Sequence, residues 1–189
     1  MTAFYTSDID CFARRMLSNA NWLDTHPFDQ ALKLSTVKVP FAFVLNSDAS
    51  HLPGSNWLAF YQESSTLPLK MFDSFGFLPS FYSLKNVYSF RILQYSTHRF
   101  QNIDSQVCGH YVLMFLIYRS IGYSYIDFIN YLLSFKCLST SVDSIVLNSA
   151  RNIATMYKLV EPCIKSKLIH EQCCISKICF ACKSQTIDN

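Results

Sequence analysis

The run CGHYVLMFLIYRS, residues 108–120, constrains the chain most. It reads as the clearest helix of the sequence. Its apolar heart, YVLMFLIY at 111–118, is closed by Arg119. A bilayer-spanning helix needs about 20 apolar residues, so this run has to be buried in the protein's own core. The chain can supply that core, because 50% of its residues are hydrophobic. A length of 189 residues suits one compact domain or one domain plus a tail. We expect a domain over 1–160 and a Cys-rich tail over 161–189.

Apolar periodicity predicts the remaining elements. In DIDCFARRMLSNA, 8–20, apolar residues recur three and four apart, a helical spacing, with Asp8 placed to cap the start. Residues 21–36 are mixed and broken by His26-Pro27. VKVPFAFVLNSD, 37–48, reads as a buried strand with Pro40 near its beginning. WLAFYQ, 57–62, and LKMFDSFG, 69–76, read as two further strands joined by a short turn, hence a hairpin. VYSFRILQYS, 87–96, predicts a fourth strand. Helices are expected over 124–134, capped by Ser124 with Asp127, and over 141–160. The order helix, strands, helices argues for an α+β domain rather than βαβ alternation.

Several function classes lack their signatures. With 4 Gly in the chain, neither GxxxxGK[ST] nor GxGxxG occurs. A net charge of +3 with scattered basic residues permits a nucleic-acid partner without demanding one. The N-terminal MTAFYTSDIDCFARRM has early acidic residues and no signal-peptide core. The expectation is an intracellular protein, in cytoplasm or nucleus, without a membrane partner and with its 8 Cys reduced.

Cys108 sits where the polar QNIDSQV gives way to the apolar helix. Partial positive charge and unpaired N–H groups at a helix N-terminus stabilise a thiolate. Gly109 allows close backbone approach beside it. A buried core cysteine fits the same position in so apolar a chain. A nucleophile also needs a His base, a group to orient that base, and donors for the oxyanion. Gln101 can offer its side-chain amide as one donor and the Cys108 N–H is a second. Asp73, ending the strand in FDSFG, is a fixed carboxylate or simply a turn residue.

Three motifs stand in order: HLPGSNWLAFY, then LKMFDSFG, then QNIDSQVCGHYVLMFL. Together they resemble the papain-related superfamily that contains the adenovirus protease, adenain, and the proteases of ubiquitin-like modifiers. FVLNSD and CGHY are similar to the form found in viruses and virus-like DNA transposons. The resemblance covers roughly residues 37–120. It implies an adenain-like cysteine protease fold, with a mixed or antiparallel sheet packed on the helix that bears the nucleophile. It also implies Cys108 as nucleophile, Asp73 as the acid that orients the base, Gln101 as the oxyanion-hole amide, and Trp57 and Gly109 in the substrate cleft. Viral precursors or Gly-Gly-ending modifiers are the substrates it implies, with no cofactor. A nucleic-acid partner rests on a pI of about 8.4 and the aromatic content; adenain uses DNA as an activator.

The family's His directly precedes the Trp, and here that position is Asn56. An amide cannot take the thiol proton at neutral pH, and a general base contributes roughly 10²–10⁴-fold. His51, five residues earlier in the same loop, is a candidate substitute base or a solvated loop residue. His98 lies near Gln101, and His110 follows Cys108 by two positions, about 200° round a helix. His110 is expected to be a hydrogen-bonded structural histidine. In the tail, Cys173, Cys174, Cys179 and Cys182 include one CxxC, which is either a zinc-ligand pair or part of a functionless reduced tail. Two readings compete: a cysteine endopeptidase with a substitute base, and an inactive pseudoprotease. The latter would bind protein or peptide in the old cleft or persist as a decayed mobile-element copy.

Overall fold

The computed structural model describes residues 4–17, 19–30, 32–52, 54–82, 84, 93–136, 141–149 and 152. The described residues up to Leu147 belong to one compact unit. The boundary expected at 160/161, half of the helix expected over 141–160, and the tail cysteines lie outside the described residues.

The elements run α1 (Thr6–Met16), β1 (Asn21–Pro27), β2 (Phe41–Asn46), β3 (Trp57–Gln62), β4 (Leu69–Phe72), β5 (Leu93–Tyr95), α2 (Cys108–Ser120) and α3 (Tyr125–Lys136). A further helix, α4, covers 142–149. The strands form one mixed sheet in the order β1-β2-β3-β4-β5. The outer pairs β1–β2 and β4–β5 are parallel, and β2–β3–β4 is antiparallel. The α+β class and the β3–β4 hairpin are as expected from the sequence.

Period-2 alternation sorts the strand side chains onto two faces, both buried. Ala42, Val44, Ala59, Tyr61 and Phe72 face a cluster built on Tyr111, Phe115 and Phe128 of the helices. Phe41, Phe43, Leu45, Leu58, Phe60 and Met71 face the opposite way, under Leu34, Tyr82 and Leu84. The continuous apolar reading of β2 and β3 follows from this double covering. Helix α2 is apolar all round because it is enclosed: every residue from Gly109 to Ser120 is buried. At its end Arg119 pairs with Glu63, which also binds Lys70 Nζ at 2.8 Å.

The structure corrects several local expectations. Residues 21–27, mixed in pattern and without a strand signal, form β1. Its residues are partly exposed, a register shift lies between Trp22 and Thr25, and Asp24 has φ +67°, so no clean alternation survives. Helix α1 starts at Thr6, and Asp8 lies inside its first turn, accepting the Tyr5 N–H at 2.9 Å rather than standing before the helix. The strands expected over 37–48 and 69–76 are shorter, covering Phe41–Asn46 and Leu69–Phe72. Of the strand expected over 87–96, Leu93–Tyr95 is described as β5 and 87–92 lie outside the described residues. At α3 the reciprocal cap is present: Ser124 N–H donates to Asp127 Oδ2 at 2.9 Å, and Asp127 N–H donates to Ser124 Oγ at 3.1 Å.

Candidate active site

The β3–β4 register pairs Ala59 with Phe72, so the start of β3 and the end of β4 share one end of the sheet. Asn56 stands one residue before β3 and Asp73 one residue after β4. Both are buried, at 7% and 3% exposure. Asn56 Nδ2 donates to Asp73 Oδ1 at 3.0 Å and to the Tyr82 hydroxyl at 3.1 Å. Asn56 Oδ1 accepts the Trp57 N–H at 2.8 Å. The amide is thus held at both ends.

Asp73 accepts three further hydrogen bonds. They come from the N–H groups of Phe75 at 3.0 Å and Phe77 at 2.9 Å, and from the Tyr82 hydroxyl at 2.7 Å. The chain wraps back on the carboxylate through Gly76, whose φ of +70° suits glycine. A Cβ there would also come within 2.7 Å of the His98 backbone. Burial, followed by the nearby Asp73 charge, pushes the Tyr82 phenol well above its ordinary range. Tyr82 therefore stays a neutral hydrogen-bond donor.

Gln101 is buried and tied to the residue after Asp73. Its Oε1 accepts the Ser74 hydroxyl at 2.6 Å, and its backbone N–H donates to the Ser74 carbonyl at 3.1 Å. Its Nε2 donates to the Ser105 carbonyl at 2.7 Å, so one of its two N–H groups is committed within the loop. The same loop is clamped from α2 and α4. Tyr111 hydroxyl sits 3.2 Å from the Phe100 carbonyl and 2.8 Å from Asp143 Oδ1, while Asn102 N–H donates to Asp143 Oδ2 at 3.2 Å.

Cys108 opens α2, following Val107, which offers no side-chain cap. Burial pushes its thiol up from the ordinary value. The N–H groups of Trp57, Gly109 and Cys108 itself pull the other way, and the Asp73 carboxylate adds to the rise. The helix N–H groups favour the thiolate as expected, but desolvation outweighs them. The space a side chain at Gly109 would need is taken by Phe4, whose Cβ would lie 2.8 Å away. The Phe4 carbonyl accepts the Trp57 indole N–H at 3.2 Å.

No hydrogen bond joins a histidine side chain to Cys108, Asn56 or Asp73 among the described residues. His51 is exposed, and its charge bears on Asp29, whose carboxylate is held low chiefly by the Ser50 N–H. His98 is exposed, and His26 hydrogen-bonds Gln30 at 3.0 Å. His110 is 1% exposed and stacks on Phe4 with ring centroids 4.0 Å apart. Neither of its ring nitrogens has a hydrogen-bond partner, which corrects the expected hydrogen-bonded histidine. Tyr82, Ser74 and Asp143 were not singled out from the sequence, because each sits in an aromatic or polar stretch without distinctive spacing. Among the described residues no group of three His, Cys, Asp or Glu is placed to hold a metal. No helix among them is long and apolar enough to cross a membrane.

No protein-family model matches the chain, and no curated protein matches it. Among solved structures it is similar to a SUMO protease Ulp1 whose catalytic cysteine is oxidised to a sulfinic acid, at 19% identity and a TM-score of 0.30. The likeness covers 58% of this chain and about half, 53%, of that one.

Proposed function

We propose that this chain is a protease-fold domain of the adenain and ubiquitin-like-modifier protease type that has lost its general base and acts as a peptide- or protein-binding pseudoprotease. The supporting observation is the buried Asn56–Asp73 hydrogen bond at 3.0 Å. In the resemblance stated above, an imidazole donates to the acid with one nitrogen and takes the thiol proton with the other. Asn56 reproduces the donation and lacks the acceptor for the proton. Its own oxygen is occupied by the Trp57 N–H. Amide hydrolysis further requires a proton for the leaving amine, which Asn does not supply. A thiol pushed up by burial agrees with a cleft that no longer makes a nucleophile.

The test is the alkylation rate of Cys108 by a small thiol reagent against pH, with Cys108→Ala subtracting the other cysteines. The expected result is a sluggish thiol in the unaltered chain and a reactive one in Asn56→His. A reactive thiolate in the unaltered chain well below about pH 8.5, the ordinary thiol range, would overturn the proposal. It would make a substitute base, with His51 the first to remove, the better account.

A further inference from the structure

Beside Asn56 opens a pocket of about 510 Å³ that neither the thiol nor the Gln101 loop lines. Its apolar wall is Phe28, Phe75, Phe77, Phe81 and Tyr82. Its polar wall is Ser47, Asp48, Ser55 and Asn56. We propose that this pocket takes the cationic side chain, lysine or arginine, of a bound peptide. The inference deepens the binding function proposed above and rests on it for the statement that the occupant belongs to a peptide.

Three observations select the occupant. First, among the described residues that line the pocket the one formal charge is the Asp48 carboxylate, and none of them is Lys, Arg or His. Two lining residues, Asn56 and Tyr82, both donate to Asp73, a second carboxylate. The Asp48 charge on the lining, with Asp73 beneath those two side chains, disfavours an acidic occupant. A purely apolar occupant would cut the Asp48 carboxylate off from water and leave its charge with the Ser55 hydroxyl as side-chain partner and no counter-charge.

Second, Asp48 is fixed. Its Oδ1 accepts the Ser55 hydroxyl at 3.1 Å, Ser55 Oγ is 3.0 Å from Ser47 Oγ, and the Asp48 N–H donates to Asn46 Oδ1 at 2.9 Å. The carboxylate is therefore preorganised for an ammonium or guanidinium rather than adrift in solvent.

Third, the aromatic wall extends outward past what folding requires. Phe77 and Phe81 stack with centroids 4.6 Å apart and remain 42% and 66% exposed. Such a plate suits the alkyl stem of a long cationic side chain, with ring faces and edges near its charged head.

The test is a titration of the ¹⁵N-labelled full chain with three probes: N-acetyl-lysine methylamide, N-acetyl-norleucine methylamide and N-acetyl-glutamate methylamide. The amide signals of Ser47, Ser55 and Phe77 are followed. The lysine probe is expected to shift these signals and to bind about 3- to 30-fold tighter than norleucine. Asp48→Asn should bring the lysine probe down to the norleucine level, and Phe81→Ala should weaken both. Norleucine or glutamate binding as tightly as lysine would overturn the inference, as would an absence of shifts at the pocket or no response to Asp48→Asn. The titration uses neither Cys108 nor Asn56. A cleft with an active thiol but a lysine-selective pocket is thereby told apart from an inert thiol with no such pocket.

Discussion

Asn56 Nδ2 and Asp73 Oδ1 meet at 3.0 Å across the end of the sheet, both buried, and the Tyr82 hydroxyl bonds each of them. Asp73 is therefore the acceptor for two side chains and for two backbone N–H groups of its own loop. Asp73→Ala leaves all four donors without it, and we expect a loss of about 3–5 kcal/mol in urea unfolding. Tyr82→Phe removes one donor and should cost about 1–2 kcal/mol. Equal effects of the two substitutions would mean that the carboxylate is not the hub of the loop.

The Cys108 thiol is pushed up chiefly by burial. At neutral pH its thiolate fraction should then fall below that of a free thiol, and alkylation should climb only above the ordinary thiol range. Asn56→His places an imidazole where the amide now donates to Asp73. An imidazolium beside a thiolate favours the ion pair and lowers the thiol. The alkylation profile should move to lower pH, with the rate near pH 7 rising by about tenfold or more. An unmoved profile would place position 56 out of reach of the sulfur.

Much of this arrangement was legible beforehand for physical reasons. β3 and α2 were placed end to end, because a buried strand and an enclosed helix carry continuous apolar runs bounded by polar residues. Asp73 and Cys108 stand at the ends of such runs and Gln101 in the loop before the helix, whereas Asn56 is named through the family resemblance alone. β1 escaped because an edge strand with a bulge has no alternation to detect. Tyr82 escaped because its role depends on the chain folding back over Asp73, which no local pattern encodes. The net direction of the thiol is not legible in sequence, because helix N–H groups can be counted there and desolvation cannot.

His110 offers a test through pH. Burial lowers it from 6.5 to about 4. Between these values the unfolded chain binds a proton that the folded chain refuses. Stability is therefore lost as pH falls from about 6.5 to about 4, and this group adds nothing further below that. The full effect is at most about 3.5 kcal/mol. Urea midpoints over this range should fall in the unaltered chain. His110→Phe keeps a ring on Phe4 and deletes two unpartnered nitrogens. It should flatten the pH dependence and leave neutral-pH stability equal or higher.

Gly109 sets alanine's helix preference against packing. Alanine is favoured over glycine within a helix by about 1 kcal/mol. A Cβ here would stand 2.8 Å from Phe4 Cβ and 3.4 Å from its ring, so Phe4 has to move. Phe4 is anchored by the Trp57 indole bond and by stacking on His110. Overpacking of this kind costs about 1–3 kcal/mol, so Gly109→Ala is expected to be net destabilising or neutral rather than stabilising. Trp57 fluorescence should change as the indole loses its acceptor. In a Phe4→Gly background the obstructing Cβ is absent, and the same substitution should become favourable by its helix preference. A double-mutant cycle without coupling between positions 4 and 109 would show that Phe4 does not occupy the space beside the Cys108 helix start.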